Sequence, residues 1–258
     1  MRTIKAFLKI LDHHTLIVTV LALCSTYLCR KFSLEADIPG GLIGIAIVFP
    51  IVFSISSAYR RRDAALRFFA SMKAHAVALF YAHRDWGPEI PAYDPGENRD
   101  LIKALLGAVK SYLTASKDQQ PLLFKKVYEI FSQFSRSHES LRKAGVTSGE
   151  ISRANQYLRA IIIEFERMRN ILLYRTPFGL RAYSRVFLNI FPILFGPYFA
   201  HLSQKSYPVI GYGVAIIYSV VLVSLDNIQE DLENPYDGIG GDDVNLEMTS
   251  ELDDMLLK

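Results

Sequence analysis

Long uncharged runs, separated by stretches of helical periodicity, dominate the pattern of this chain. Residues 38–59 and 206–225 contain no Asp, Glu, Lys, Arg or His, and residues 186–204 have His201 as their one ionisable group. A fourth run, residues 13–29, has an uncharged centre from 16 to 28. A helix rises 1.5 Å per residue, so a hydrocarbon core of about 30 Å takes about 20 such residues, and each run predicts a membrane-crossing helix. The first run also suits the h-region of a signal peptide. Its one small-x-small site, at Ala22, Leu23 and Cys24, leaves too little apolar length before it, so a span is the expectation.

Between the second and third runs the pattern changes to amphipathic helix. Leu101, Ile102, Leu105, Leu106, Val109 and Leu113 recur one turn apart, with Lys103 and Lys110 on the other face. Further helices are predicted over 120–143, with Pro121 in the first turn, and over 148–174. Residues 86–96, dense in Pro and Gly, predict a loop. No stretch alternates as a strand would, so the expected class is all-α. It would be an integral membrane protein with four transmembrane helices and a helical cytoplasmic region.

Composition agrees with a bilayer. The 258 residues are 50% hydrophobic, with a mean hydropathy of +0.17. The formal charge of +3 hides an asymmetry: residues 226–258 hold eleven Asp/Glu against one Lys, leaving 28 Lys/Arg against 15 Asp/Glu before them. The basic residues gather at span ends: Arg2, Lys5 and Lys9 before the first run, Arg60, Arg61 and Arg62 after the second, and Arg175, Arg181 and Arg185 before the third. With four crossings all three clusters fall on one side, which predicts a multi-pass cell-membrane protein with both termini cytoplasmic. The expected organisation is residues 1–59 with the first two spans, 60–180 as the cytoplasmic helical region, 181–229 with the last two spans, and 230–258 as an acidic cytoplasmic tail.

Enzyme chemistry has no visible seat. There is no His-Glu-x-x-His or paired Cys-x-x-Cys spacing, no phosphate-binding glycine loop and no nucleophile elbow, so the chain is not expected to be an enzyme. Gly238, Ile239, Gly240 and Gly241 read as a turn. Cys24 and Cys29 read as membrane-buried thiols, and His13, His14, His75, His83, His138 and His201 as solvated or interfacial. Topology already accounts for the basic clusters, so no nucleic-acid partner is expected.

One constellation is more specific. Ile45, Phe49 and Phe53 recur every four residues and form a large apolar stripe on the second run. Gly40, Gly41, Gly44, Ala46, Ser54, Ser56, Ser57 and Ala58 make its remaining surface small, which lets neighbouring helices come close. By periodicity the stripe faces lipid, another helix or a pore.

The stripe, followed by Ser56, Ser57, Ala58, Tyr59, Arg60, Arg61 and Arg62, resembles the neck and Thr-Ala-Tyr-x-Arg exit of the bestrophin family of ion channels, bacterial members included. After the last run, Glu233, Asn234, Pro235, Tyr236, Asp237 and Gly238, with the later Asp242, Asp243, Val244, Asn245 and Leu246, resemble the family's Asn-Pro-Phe signature and its acidic continuation. Arg175, Thr176 and Pro177 resemble the entry to its third span. Where animal members carry two Trp after the exit arginine, Arg61 and Arg62 stand here, and Gly238 to Gly241 interrupt the acidic stretch.

The resemblance implies a homopentamer in membrane lipid whose second helices line a hydrophobic neck of Ile45, Phe49 and Phe53. Arg60, Arg61 and Arg62 would attract anions at the exit, and the passing ions would be chloride or other small inorganic anions. A cation-selective pore and a non-conducting membrane-anchored scaffold remain as alternatives. In calcium-gated relatives the acidic region wraps the ion, and Asp231, Asn234, Asp242 and Asn245 are the matching positions; a solvated acidic tail is the other reading. The family also implies a second cytoplasmic constriction, expected near Ile151.

Overall fold

Asp12 starts the first helix: its Oδ1 accepts the backbone N–H of Thr15 at 2.9 Å and the Thr15 hydroxyl at 3.0 Å, satisfying one of the donors a helix N-terminus leaves open. Helix α1 (His13–Lys31) is followed by α2 (Gly40–Trp86), α3 (Pro95–Thr114), α4 (Gln120–Lys143), α5 (Ser148–Leu173), α6 (Phe178–Leu194), α7 (Gly196–Lys205), α8 (Pro208–Glu233) and α9 (Ser250–Leu257). The computed structural model describes residues 11–37, 40–86, 95–175, 177–205, 207–238, 243–247 and 250–257. Among the described residues there is no strand, and the chain is all-α. The three amphipathic patterns are α3, α4 and α5. Pro121 sits in the first turn of α4, and the Thr147 hydroxyl caps α5 by accepting the Glu150 N–H at 3.4 Å. Most of the expected 86–96 loop, residues 87–94, lies outside the described residues, and α3 begins at Pro95.

The chain divides into two compact units, Met1–Arg60 with Arg175–Glu233, and Arg61–Tyr174 with Asn234–Lys258. In the first unit α1 packs on α6, α7 and α8, and α8 packs on α6 and α7. Its helices are apolar on the outside. Helix α1 buries Thr15, Val18, Ala22 and Thr26 and exposes Leu16, Ile17, Val20, Leu21 and Leu28. Helix α8 buries Ala215, Ser219 and Leu222 and exposes Val209, Ile216, Ile217 and Val221. The buried hydroxyls return to their own helices, Thr26 to the Ala22 carbonyl at 2.8 Å and Ser219 to the Ala215 carbonyl at 2.7 Å. Small residues inside and aliphatic ones outside reverse the polarity of a helix packed for water, and suit close helix packing in hydrocarbon. Among the described residues, Arg181–Lys205 and Val209–Glu233, each 25 residues, are long and apolar enough to cross a membrane. Cys24 lies exposed on α1 and Cys29 is half-buried, both as free thiols.

Within the third run the helix is interrupted at Phe195, between α6 and α7. Pro197 has no N–H to give to the Ile193 carbonyl one turn back, and the Ser25 hydroxyl of α1 donates to that carbonyl instead, at 2.7 Å. The approach needs glycine. A Cβ on Gly196 would lie 2.2 Å from Ser25 Oγ, and one on Gly211 of α8 would lie 2.1 Å from the Phe199 carbonyl oxygen of α7. Around this joint Phe187, Phe191, Phe195 and Phe199, four residues apart, stand with ring centroids 5.2, 5.7 and 6.2 Å apart in succession. Tyr218 of α8 meets the last two at 5.5 and 5.8 Å.

The second unit has the ordinary polarity of a water-facing bundle. Residues 61–86 of α2, with α3, α4 and α5, bury a core that includes Phe69, Met72, Leu105, Phe134 and Phe165. The acidic tail joins it. Tyr236 is buried, its hydroxyl donates to the Met168 carbonyl at 3.4 Å, and Val244, Leu246, Leu252 and Leu256 enter the same core. Burying one such aromatic side chain contributes about 2 kcal/mol. Glu247 pairs with Lys110 and Asp253 with Lys103, so two tail carboxylates meet the basic face of α3. The alternative reading of a solvated acidic tail neutralised by the basic body holds for these two ion pairs, while the tail's spaced apolar residues are buried and anchor it.

Two histidines are corrected. His83 and His138, read as solvated or interfacial, are 0% and 1% exposed, with ring centroids 5.0 Å apart. His138 Nδ1 lies 2.8 Å from Asn155 Oδ1. Burial, with the neighbouring His138 adding to it, pushes His83 down to about 3. Burial also holds His138 below its ordinary value, against the opposing effect of the hydrogen bond its ring donates to Asn155 Oδ1.

Candidate pore-lining helix

Within Met1–Arg60, α2 buries Ile51, Ser54 and Ala58, whose spacing defines one helical face. Phe49, Val52, Phe53 and Tyr59 are left outside. Phe49 is 62% and Phe53 57% exposed, and their rings meet edge to face at 4.7 Å. These are large aromatic groups that their own chain does not cover. The side chain of Ile45, the third member of the stripe, lies outside the described residues; its backbone belongs to α2. Of the surroundings periodicity allowed, the protomer's own core is therefore excluded for Phe49 and Phe53.

Beyond the stripe Ser56 and Ser57 are half-buried, Ala58 is buried, and Tyr59 and Arg60 are exposed. Arg61 turns to α5. Its Nη2 donates to the Ile171 carbonyl at 2.5 Å and its Nη1 to the Tyr174 carbonyl. These oxygens belong to the C-terminal end of α5, where carbonyls lack helical partners and the dipole is negative, so a guanidinium closes the helix well. Arg62 is half-buried. Consecutive helix positions lie 100° apart, so Arg60, Arg61 and Arg62 fan around α2 and do not share one face.

The described positions matched to a calcium clasp make the following contacts within their own units. Asp231 is exposed near the end of α8 in the first unit. In the second unit Asn234 Nδ2 donates to Asp237 Oδ2 at 2.9 Å, Asp243 Oδ2 accepts the Gly238 N–H at 2.5 Å, and Asn245 Oδ1 accepts the Glu247 N–H at 2.9 Å. Asp242 lies outside the described residues. Among the described residues no three His, Cys, Asp or Glu gather as a metal set. Calcium takes several oxygens turned to one point, and among the described residues Asn245 Oδ1 and Asp243 Oδ2 each accept a backbone N–H. Ile151, where a second constriction was expected, is buried.

No family model and no curated protein matches the sequence. Solved structures do match. A bacterial bestrophin homolog from Klebsiella pneumoniae aligns with a TM-score of 0.79 at 17% identity, over 95% of this chain and 96% of that one. A variant of that homolog gives 0.77 at 17% identity over 100% and 98%. The chain has a bestrophin-like fold. A structure described as a membrane protein aligns in the same way, with a TM-score of 0.76 at 17% identity over 95% and 96%. The bestrophin-like likeness covers both units, so it reflects helix order and packing along the whole chain. At this identity it carries architecture and leaves the roles of individual side chains to argument.

Proposed function

We propose that the chain is one subunit of a bestrophin-like ion channel of the cell membrane, assembled as a homopentamer. The observation that carries the reading is the bare aromatic face of α2: Phe49 and Phe53 are exposed while Ile51, Ser54 and Ala58 hold the opposite face against the protomer. Five copies turned to a common axis would stack rings of Phe49 and Phe53, with Ile45 one turn before them. Such a neck excludes ions by dewetting when narrow and passes them when slightly wider. The aliphatic surfaces of α1 and α8 would face lipid, with residues 1–59 and 181–229 holding the spans. Residues 60–180 and 230–258, and both termini, would be cytoplasmic.

Phe ring edges carry partial positive charge and favour anions in an otherwise uncharged neck, and Arg60 and Arg62 would raise the anion concentration at its exit. Chloride and other small anions are the proposed cargo. A cation-passing pore is the second reading, and one observation favours it: the Arg61 guanidinium is held by α5 carbonyls, whose partial negative charge offsets its field. No step runs through calcium.

Native mass measurement of the detergent-solubilised protein should give five chains, and a bilayer recording under a chloride gradient should reverse near the chloride equilibrium potential. Reversal at the cation potential selects the second reading. A single-chain mass overturns both and supports the scaffold.

A further inference from the structure

Three carbonyls at the C-terminal end of α5 are taken by side chains from elsewhere in the second unit. Arg61 of α2 donates to those of Ile171 and Tyr174, and the Tyr236 hydroxyl of the tail donates to that of Met168 at 3.4 Å. Met168 and Ile171 are three residues apart, so their carbonyls lie about 4.5 Å apart along the helix axis and about 60° around it. The two grips are neighbours. Tyr236, 2% exposed, is packed in the core that contains Met168 and against which Ile171 rests. Burial pushes the Tyr236 hydroxyl up and the Arg61 charge acts against that push, so the two side chains lie within electrostatic reach of each other. The turn that presents Tyr236 is itself tied: Asn234 Nδ2 donates to Asp237 Oδ2 at 2.9 Å, and the Val244 N–H donates to the Pro235 carbonyl at 2.9 Å.

A hydrogen bond of 3.4 Å is long, so the buried ring, more than the hydroxyl, seats the tail here. An α5 end that loses this seat frays readily, because its last carbonyls have no helical donors. Arg61 feels the loss first. While its guanidinium lies on carbonyls at the negative end of the helix dipole, much of its field is cancelled; released, it adds a full positive charge beside Arg60 and Arg62. We propose that Tyr236 is a positioning residue for ion selectivity: the seated tail keeps the end of α5 closed on Arg61 and masks that charge, and an unseated tail exposes it to the permeating ions. The inference rests on the reading of α2 as the pore helix.

The test records the full-length parent, Tyr236→Ala, Arg61→Lys, Arg61→Gln and the double variant Tyr236→Ala with Arg61→Gln in planar bilayers under a potassium chloride gradient. Tyr236→Ala should raise the chloride-to-potassium permeability ratio by about twofold or more. Arg61→Lys should do the same, because lysine keeps the charge but cannot fork onto two carbonyls. In the Arg61→Gln background, the change at Tyr236 should leave the ratio where it is. A ratio unchanged by Arg61→Lys, or by a folded Tyr236→Ala, overturns the proposal. So does an equal shift from Tyr236→Ala with and without Arg61, which marks a general loss of packing. Amide hydrogen exchange on the detergent-solubilised protein reads the same linkage without conduction. Tyr236→Ala should speed exchange over residues 168–174, and Arg61→Gln should speed it at Val244, each by about fivefold or more. Exchange at Val244 indifferent to Arg61→Gln overturns the linkage. A parent whose variants show this reciprocal exchange but which passes no ions keeps the linkage and loses the channel reading.

Discussion

His83 and His138 are packed ring to ring in the second unit, and the protein gives up their protonation to keep them there. An unfolded His83 takes up a proton near its ordinary value of 6.5, whereas the folded one resists until about 3. Below pH 6.5 the unfolded chain therefore binds more protons. The stability contribution is complete above that value and is lost progressively as pH falls toward 3. Between pH 7.5 and 5 this amounts to about 2 kcal/mol for His83, at about 1.36 kcal/mol per unit. Thermal melts should show the protein weakening over that interval, and His83→Gln should flatten the slope by a similar amount. An unaltered slope would contradict the burial argument. Nothing in the sequence marked this pair: the two residues are 55 positions apart, and a lone histidine on an amphipathic helix looks alike whether its face is wet or dry.

At the scale of elements, the joint between α6 and α7 and its seat on α1 and α8 depend on two close approaches. Gly211 and Gly213 lie on the same helix, but only at Gly211 would a Cβ collide with backbone, while at Gly213 it would meet nothing within 4 Å. Gly211→Ala should therefore destabilise by about 1–3 kcal/mol through forced separation of α7 and α8. Gly213→Ala should be neutral or slightly stabilising, because alanine favours helix by up to about 1 kcal/mol. Equal melting shifts in detergent would contradict the packing described. Helices α3, α4 and α5 were legible because each repeats its apolar face over five or more turns. The break at Phe195 was legible in principle from Pro192 and from Gly196 followed by Pro197, but an uncharged run invites reading by hydropathy alone. The tail's anchors, Tyr236, Val244, Leu246, Leu252 and Leu256, are spaced too irregularly for any single period and are surrounded by carboxylates.

For the whole molecule, two units of opposite polarity share one chain. In one, α1 and α8 bury small and hydroxyl-bearing residues and turn aliphatic ones outward; the other buries its aliphatic and aromatic residues and exposes charged ones. That contrast, with the bestrophin-like fold, is what makes a membrane channel with a helical cytoplasmic region the economical reading. The stripe of Ile45, Phe49 and Phe53 was visible from spacing, yet spacing could not say which way it faced, since lipid, core and pore all accept a row of large apolar side chains. Exposure of Phe49 and Phe53 on the single chain removes the core from that choice. The decisive measurement is chloride efflux from liposomes carrying the parent protein or the double variant Phe49→Ala with Phe53→Ala. Widening an apolar constriction lowers the dewetting barrier, so the account predicts a several-fold faster efflux from the variant at equal protein incorporation. Efflux from a folded double variant at the parent's rate would contradict it.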